Sequence, residues 1–221
     1  ASFITHGLTR RECEIEALFM LVAGSESTAS AIRSTILHVI STPRVYQKLK
    51  EEINHAVSGQ KVSDPIQYSE MSHLPYLQAV LYEGLRSRPP LLGLFPKLVP
   101  RGGDLFHGLQ IPEGTAICAN LASLLRSPAI FGVDAHLFRP ERFLECDDQS
   151  RREMESNTEL VFGSGQFMCL GKKIAFMELS KTIFELFKAY DLQLANPMTP
   201  SDVKTFGAFV ESNLFVNFTR L

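Results

Sequence analysis

Residues 10 to 40 constrain the fold of this chain more than any other segment. Thr9-Arg10-Arg11-Glu12 is a capping box, a Thr followed three residues on by a Glu. Such a pair satisfies free backbone donors at a helix start. Apolar residues then recur at Ile15, Leu18, Phe19, Val22, Ile32, Ile36 and Val39, close to helical period. Gly24 sits mid-pattern among Ser25, Ser27, Thr28 and Ser30. Thr42-Pro43 ends the pattern, because proline suits the first position of a new helix. The chain must therefore be built around one long helix from about Arg10 to Ile40.

The remaining segments predict a mainly α fold with a minor β-sheet. A second helix spans about Pro43 to Val57, and a third opens at Leu74-Pro75 and ends before Pro89-Pro90. Leu91 to Val99, Leu105 to Phe106, Leu109 to Ile111 and Thr115 to Ala119 read as strands of one small sheet. Asn120 to Arg126 predicts a short helix, and Asp134 to Phe143 is irregular. Asp147 to Thr158 is polar and predicts a mobile loop, while Leu170 to Tyr190 predicts an amphipathic helix. Phe206 to Val210 and Leu214 to Phe218 flank Glu211-Ser212-Asn213 and predict a terminal hairpin.

Composition excludes several classes. With 45% hydrophobic and 21% charged residues, the 221-residue chain can bury an ordinary globular core. A net charge of −2 gives no basis for nucleic-acid binding. No unbroken apolar run reaches the length of a membrane span, so no transmembrane segment is predicted. The first residue is Ala1, in the approach to a helix, so the chain is expected to start inside a longer protein. Cys13, Cys118, Cys146 and Cys169 form no C-x-x-C pair and predict neither a zinc site nor a disulfide framework.

Cys169 differs from the other cysteines in its neighbours. Phe162-Gly163-Ser164-Gly165-Gln166-Phe167-Met168-Cys169-Leu170-Gly171 has glycines that let the backbone turn tightly and approach a flat partner closely. The cysteine is predicted at the start of the last long helix, where free N–H groups favour an anion. The thiolate is the form of cysteine that ligates a metal.

This string, F-x-x-G-x-x-x-C-x-G, resembles the haem-binding loop of the cytochrome P-450 superfamily. The resemblance makes Cys169 the axial iron ligand, with Phe162 packed on the cysteine side and Gly165 and Gly171 leaving room for the macrocycle. Phe167 stands where many members have Arg or His, so this loop offers no cation to a haem propionate. Lys97, after Phe95-Pro96, is the candidate for that task. Glu83-Gly84-Leu85-Arg86 and Phe138-Arg139-Pro140-Glu141-Arg142-Phe143 resemble two further family segments. They imply a buried structural triad of Glu83, Arg86 and Arg142. Ala23-Gly24-Ser25-Glu26-Ser27-Thr28 resembles the oxygen-activation motif, with Ser27 where Thr is usual. It implies Ala23 and Gly24 as the floor of the oxygen site, and Glu26 and Ser27 as acid and alcohol of a proton relay. Mid-helix hydroxyls are expected to distort the helix there.

The resemblance implies that residues 1–221 are the C-terminal portion of a single cytochrome P-450 domain. Its parts would be a long haem-crossing helix, a small sheet, the cysteine loop, a final long helix and a hairpin. It implies a haem-dependent monooxygenase acting on a small hydrophobic substrate, with haem b as cofactor and NADPH electrons delivered by a partner reductase. Lys172 and Lys173 would face that reductase. Surviving pocket residues would lie near Met20, Ala23, Leu92 to Phe95 and Phe206 to Glu211. The wording around Asn120 and Lys172 resembles fungal members of secondary metabolism, whose parents sit on the endoplasmic reticulum membrane facing the cytosol. Two other readings stay open. One is a truncated, inactive chain with weak or no haem binding. The other is a haem-thiolate isomerase or peroxygenase.

Overall fold

The computed structural model describes residues 2–93 and 95–221. Five helices carry the fold: α1 (Arg10–Ile40), α2 (Pro43–Ser58), α3 (Pro75–Ser87), α4 (Asp148–Glu159) and α5 (Lys172–Ala189). α1 starts where its capping box places it: Thr9 Oγ1 accepts from the Glu12 N–H at 3.3 Å, and Glu12 accepts from the Thr9 N–H at 2.7 Å. α1, α2, α3 and α5 bury their apolar faces against one another. Val39, Val45, Leu49, Ile53, Leu77, Leu81, Ile183, Phe184 and Phe187 are fully enclosed between them. A smaller cluster of Leu121, Leu125, Phe131, Phe143 and Met154 packs between the other face of α3 and α4.

Gly84 allows the close approach of α3 to α1. A Cβ there would lie 2.2 Å from Oγ1 and 2.9 Å from Cγ2 of buried Thr35, whose hydroxyl is held by the Ala31 carbonyl at 2.7 Å. Gly84→Ala is expected to lower stability by about 1–3 kcal/mol through overpacking. This outweighs the helix-propensity gain of about 1 kcal/mol. A urea midpoint that falls in Gly84→Ala and recovers when Thr35→Ala is added checks it.

Among the described residues the strands form four separate antiparallel ribbons. β1 (Lys97–Leu98) pairs with β4 (Ala116–Ile117), and β2 (Asp104–Phe106) with β3 (Leu109–Ile111). β5 (Tyr190–Leu194) pairs with β8 (Val216–Arg220), and β6 (Asp202–Thr205) with β7 (Phe209–Ser212). The small sheet predicted over residues 91–119 is thus two ribbons, and the strand predicted from Leu91 to Val99 shrinks to Lys97–Leu98 and a lone bridge from Leu91 to Ala208.

The terminal hairpin also differs from its prediction. Its turn lies at Phe206 to Ala208, where Gly207 adopts φ +81. Glu211 is therefore a strand residue opposite Val203 rather than part of a turn. Leu214 to Phe218 does not pair with Phe206 to Val210. The last strand lies instead against β5, with Leu192 opposite Phe218. Asp147 to Thr158 is helix rather than mobile loop. Asp147 caps α4 by accepting from the N–H groups of Gln149 and Ser150, and only Met154 and Thr158 need burial to anchor it.

α1 is long and apolar enough to cross a bilayer by length and composition, with a window of mean hydropathy 1.2. Its second half is built into the core, with Ser30, Ala31, Ser34, Thr35, Leu37 and Val39 buried. Its first half is different: Ile15, Leu18, Phe19, Met20, Leu21 and Val22 are all at least half exposed.

Candidate functional site

The cysteine loop is a tight curl between α4 and α5. Gly163 has φ +75, and a Cβ on it would lie 2.8 Å from the Phe167 carbonyl, so the curl requires glycine. The Cys169 N–H donates to the Phe162 carbonyl at 2.7 Å and closes the curl. The Phe162 ring packs on Phe176 of α5, centroids 5.4 Å apart, which fixes the loop to the core. α5 begins at Lys172 with Gly171 as its N-cap, so Cys169 lies just ahead of the helix rather than in its first turn. The Cys169 thiol is exposed. A Cβ on Gly171 would meet its sulfur at 3.7 Å, and one on Gly165 would meet nothing within 4 Å. Phe167, Met168 and Leu170 surround the thiol with exposed apolar surface.

This is a fitting donor set for haem iron. It offers one accessible soft thiolate, apolar surface for a macrocycle, and glycines in place of side chains that would obstruct it. Among the described residues no three His, Cys, Asp or Glu side chains group as a metal site.

Lys97 arrives from β1. Its Nζ lies 3.9 Å from the centre of the Phe167 ring, a cation–π contact. The lysine and the aromatic that replaces the loop cation are therefore brought together. Lys172 is engaged with Glu159 of α4 at 2.6 Å, which removes it from a free docking pair, while Lys173 is exposed.

The structure brings Glu83, Arg86 and Arg142 together. Arg86 grips Glu83 with Nε to Oε2 at 2.8 Å and Nη2 to Oε1 at 2.7 Å. Arg142 Nε donates to Glu83 Oε2 at 3.1 Å, and the Arg139 N–H donates to Oε1 at 2.7 Å. All three side chains are at most 1% exposed. The two guanidiniums then reach outward to the carbonyls of Leu125, Phe131, Asp134, Ala135 and Leu137. Burial alone would raise the Asp134 carboxyl, but Arg142 and Arg139 beside it outweigh burial and hold it below the ordinary range.

On α1, Ala23, Gly24 and Glu26 are exposed, and a Cβ on Gly24 would meet nothing within 4 Å. The Ser27 hydroxyl donates to the Ala23 carbonyl at 2.6 Å. That carbonyl has two lone pairs, so it accepts this bond beside the helix ladder, and α1 runs unbroken where a distortion was predicted. Glu26 Oε1 is bound by Arg33 Nη2 at 2.6 Å, two turns along the same face. Two of the predicted pocket segments adjoin: the Leu92 N–H donates to the Gly207 carbonyl at 2.9 Å, and the Phe209 N–H to the Pro90 carbonyl at 3.0 Å. Leu94 of that prediction lies outside the described residues.

The buried ion pairs of two carboxylates escaped sequence reasoning. Glu141 lies among Arg44, Lys48 and Tyr76, and Glu211 between Arg33 and Arg88. Their partners are separated by many residues, so no local pattern announces them.

Comparison with known proteins agrees with the geometry. A family model described as Cytochrome P450 matches residues 4–216. The chain is 63% identical over 219 residues to "Cytochrome P450 monooxygenase aba1" of Botryotinia fuckeliana, covering 99% of this chain and 43% of that protein. It is 55% identical over 213 residues to "Cytochrome P450 monooxygenase abl1" of Leptosphaeria maculans, covering 95% of this chain and 37% of that protein. A "Pisatin demethylase" of Fusarium vanettenii is 36% identical over 172 residues, covering 78% of this chain and 32% of that protein. The chain thus spans less than half the length of each of these three relatives.

Proposed function

We propose, since this chain belongs to the cytochrome P450 family, that it is the C-terminal portion of a single haem-thiolate monooxygenase domain. The activity is insertion of one oxygen atom from O2 into a small hydrophobic substrate of fungal secondary metabolism. The accessible Cys169 thiol, set by the Phe162 carbonyl amid apolar surface, is the observation that carries this reading. Family membership implies haem, and electrons from NADPH through a reductase.

Haem, when bound, supplies the iron that Cys169 ligates and at which dioxygen is activated. The protein's own residues do the rest. The bond from the Cys169 N–H to the Phe162 carbonyl holds the backbone that carries the sulfur. Lys97, propped on the Phe167 ring, would supply the propionate cation that the loop lacks. Ala23 and Gly24 leave the helix surface bare for the oxygen site. Glu26 and Ser27 hand protons across it, the hydroxyl of Ser27 held by the Ala23 carbonyl and Glu26 fed from solvent. Met20, Leu92, Phe95 and Phe206 give the substrate side its apolar character. Glu83, Arg86 and Arg142 take no part in chemistry and hold the thiolate-side loops in place.

A second reading is favoured by one observation. The first half of α1 is exposed on every side, as it would be if further chain normally covered it. On that reading these 221 residues alone hold haem weakly or not at all. The reduced carbon-monoxide difference spectrum decides. The haem-loaded full-length protein is expected to show the Soret band of thiolate ligation, and Cys169→Ser to abolish it. An unchanged band in Cys169→Ser overturns the ligand assignment. The same band from residues 1–221 alone overturns the second reading.

A further inference from the structure

Glu211 presents a buried charge that neither the thiolate loop nor the triad explains. Its side chain is fully enclosed on β7. Both of its oxygens lack a well-aligned hydrogen bond, so it has no neutral partner to compensate its charge. What surrounds it is two guanidiniums. Arg88 Nη1, at the end of α3, is 2.6 Å from Oε1, and Arg33 Nε, on α1, is 3.8 Å from Oε2. A buried carboxylate of this kind is tolerated only because those cations stay in place. Arg33 is shared, since its Nη2 binds Glu26 Oε1 at 2.6 Å. The result is a line of alternating charge, Glu26–Arg33–Glu211–Arg88, running from the surface of α1 into the hairpin. Ser30 and Ser34 on α1 set its spacing, reaching the Phe209 and Arg88 carbonyls at 3.5 Å each.

We propose that Glu211 is a positioning residue for Glu26, acting through Arg33. The proposal rests on Glu26 being the acid of the relay. A guanidinium is a planar fork with donors on two edges. The Glu211 charge lies 3.8 Å from Nε and holds that edge of the fork toward the hairpin, leaving Nη2 to reach Glu26, where it takes one carboxylate oxygen. The second oxygen stays free to carry a proton. Without the Glu211 charge, Arg33 is free to turn its fork fully onto Glu26. The paired bidentate contact is the stronger arrangement, and it occupies both oxygens.

The test uses the full-length haem-loaded protein. Glu211→Gln keeps the side-chain shape and removes the charge. It is expected to lower product formed per NADPH consumed on the order of tenfold, with the balance released as peroxide and KM little changed. Adding Arg33→Gln removes the over-tight clamp and is expected to restore most of the product. A merely structural Glu211 predicts a further loss in that double variant, and that result overturns the proposal. A readout independent of turnover is a urea-unfolding cycle of Glu26→Gln with Glu211→Gln. A shared Arg33 predicts losses that do not add, and strict additivity overturns the proposal. Should Glu211→Gln alone fail to fold, Glu211→Gln with Arg88→Gln removes the buried pair together and is expected to show the same tenfold loss. Normal product yield there overturns the proposal. If Glu26→Gln itself leaves the yield unchanged, the relay reading fails and the proposal with it. If Glu26→Gln lowers the yield and Glu211→Gln does not, the proposal fails alone.

Discussion

Glu83→Gln is expected to cost about 3–5 kcal/mol of folding free energy, the penalty for breaking a buried ion pair from one side. The side chains of Glu83, Arg86 and Arg142 are at most 1% exposed, so water cannot reach any charge left unpaired. The amide keeps the shape but removes the only carboxylate that both guanidiniums share. It also turns an NH2 group toward a cation. The damage spreads because Arg86 and Arg142 also donate to the carbonyls of Leu125, Ala135 and Leu137, tying that stretch to the pair. Most domains have only about 5–15 kcal/mol in hand. Urea unfolding is therefore expected to show a much lower midpoint or no folded baseline. A wild-type midpoint would show that the triad charge is dispensable. Glu83→Asp, too short to keep both grips, is expected to fall between the two.

The contrast between what was legible and what was not follows from the range of each interaction. α1 was legible to the residue because its signals are local: Thr9 and Glu12 cap it, and Thr42-Pro43 ends it. The cysteine loop was legible because its glycines and Phe162 act within ten positions. α4 was missed because a helix resting on one smaller cluster needs only Met154 and Thr158 inside, too few for a visible stripe. The hairpin was misplaced because Glu211 looks like a turn residue. Its burial depends on Arg33 and Arg88, which lie far away along the chain. β8 was given the wrong partner for the same reason, since its mate β5 precedes it by two intervening strands. Lys97 and Phe167 were each noticed, but only the fold shows that one rests on the other. That contact places a cation beside the loop that has none of its own.

Acid is expected to destabilise the protein through Glu141, and the sign follows from its surroundings. Burial by itself would raise this carboxyl. Hydrogen bonds from Arg44, its own backbone, Tyr76 and Lys48 outweigh burial and push it down from 4.5 to about 2. Tyr76 donates to Oε1 at 2.9 Å and Lys48 at 3.1 Å. A group depressed in the folded state binds its proton more readily when unfolded. Its contribution is therefore complete above pH 4.5 and is lost as the pH falls toward 2. A depression of this size corresponds to about 3 kcal/mol. Arg44 and Lys48 are nearly half exposed, so solvent screening brings the expected figure closer to about 2 kcal/mol. Glu141→Gln separates this term from the other carboxylates. At pH 6 its urea midpoint is expected to lie well below that of the wild type, and between pH 4.5 and 2.5 the gap is expected to close. Molar salt narrows the gap at pH 6, because the two cations are reached by ions. A gap that stays constant across the acid range would mean that the cost of Glu141→Gln is one of packing and hydrogen-bond shape. In that case the charge that Arg44 and Lys48 enclose contributes nothing to holding α2 against the Pro140–Phe143 turn.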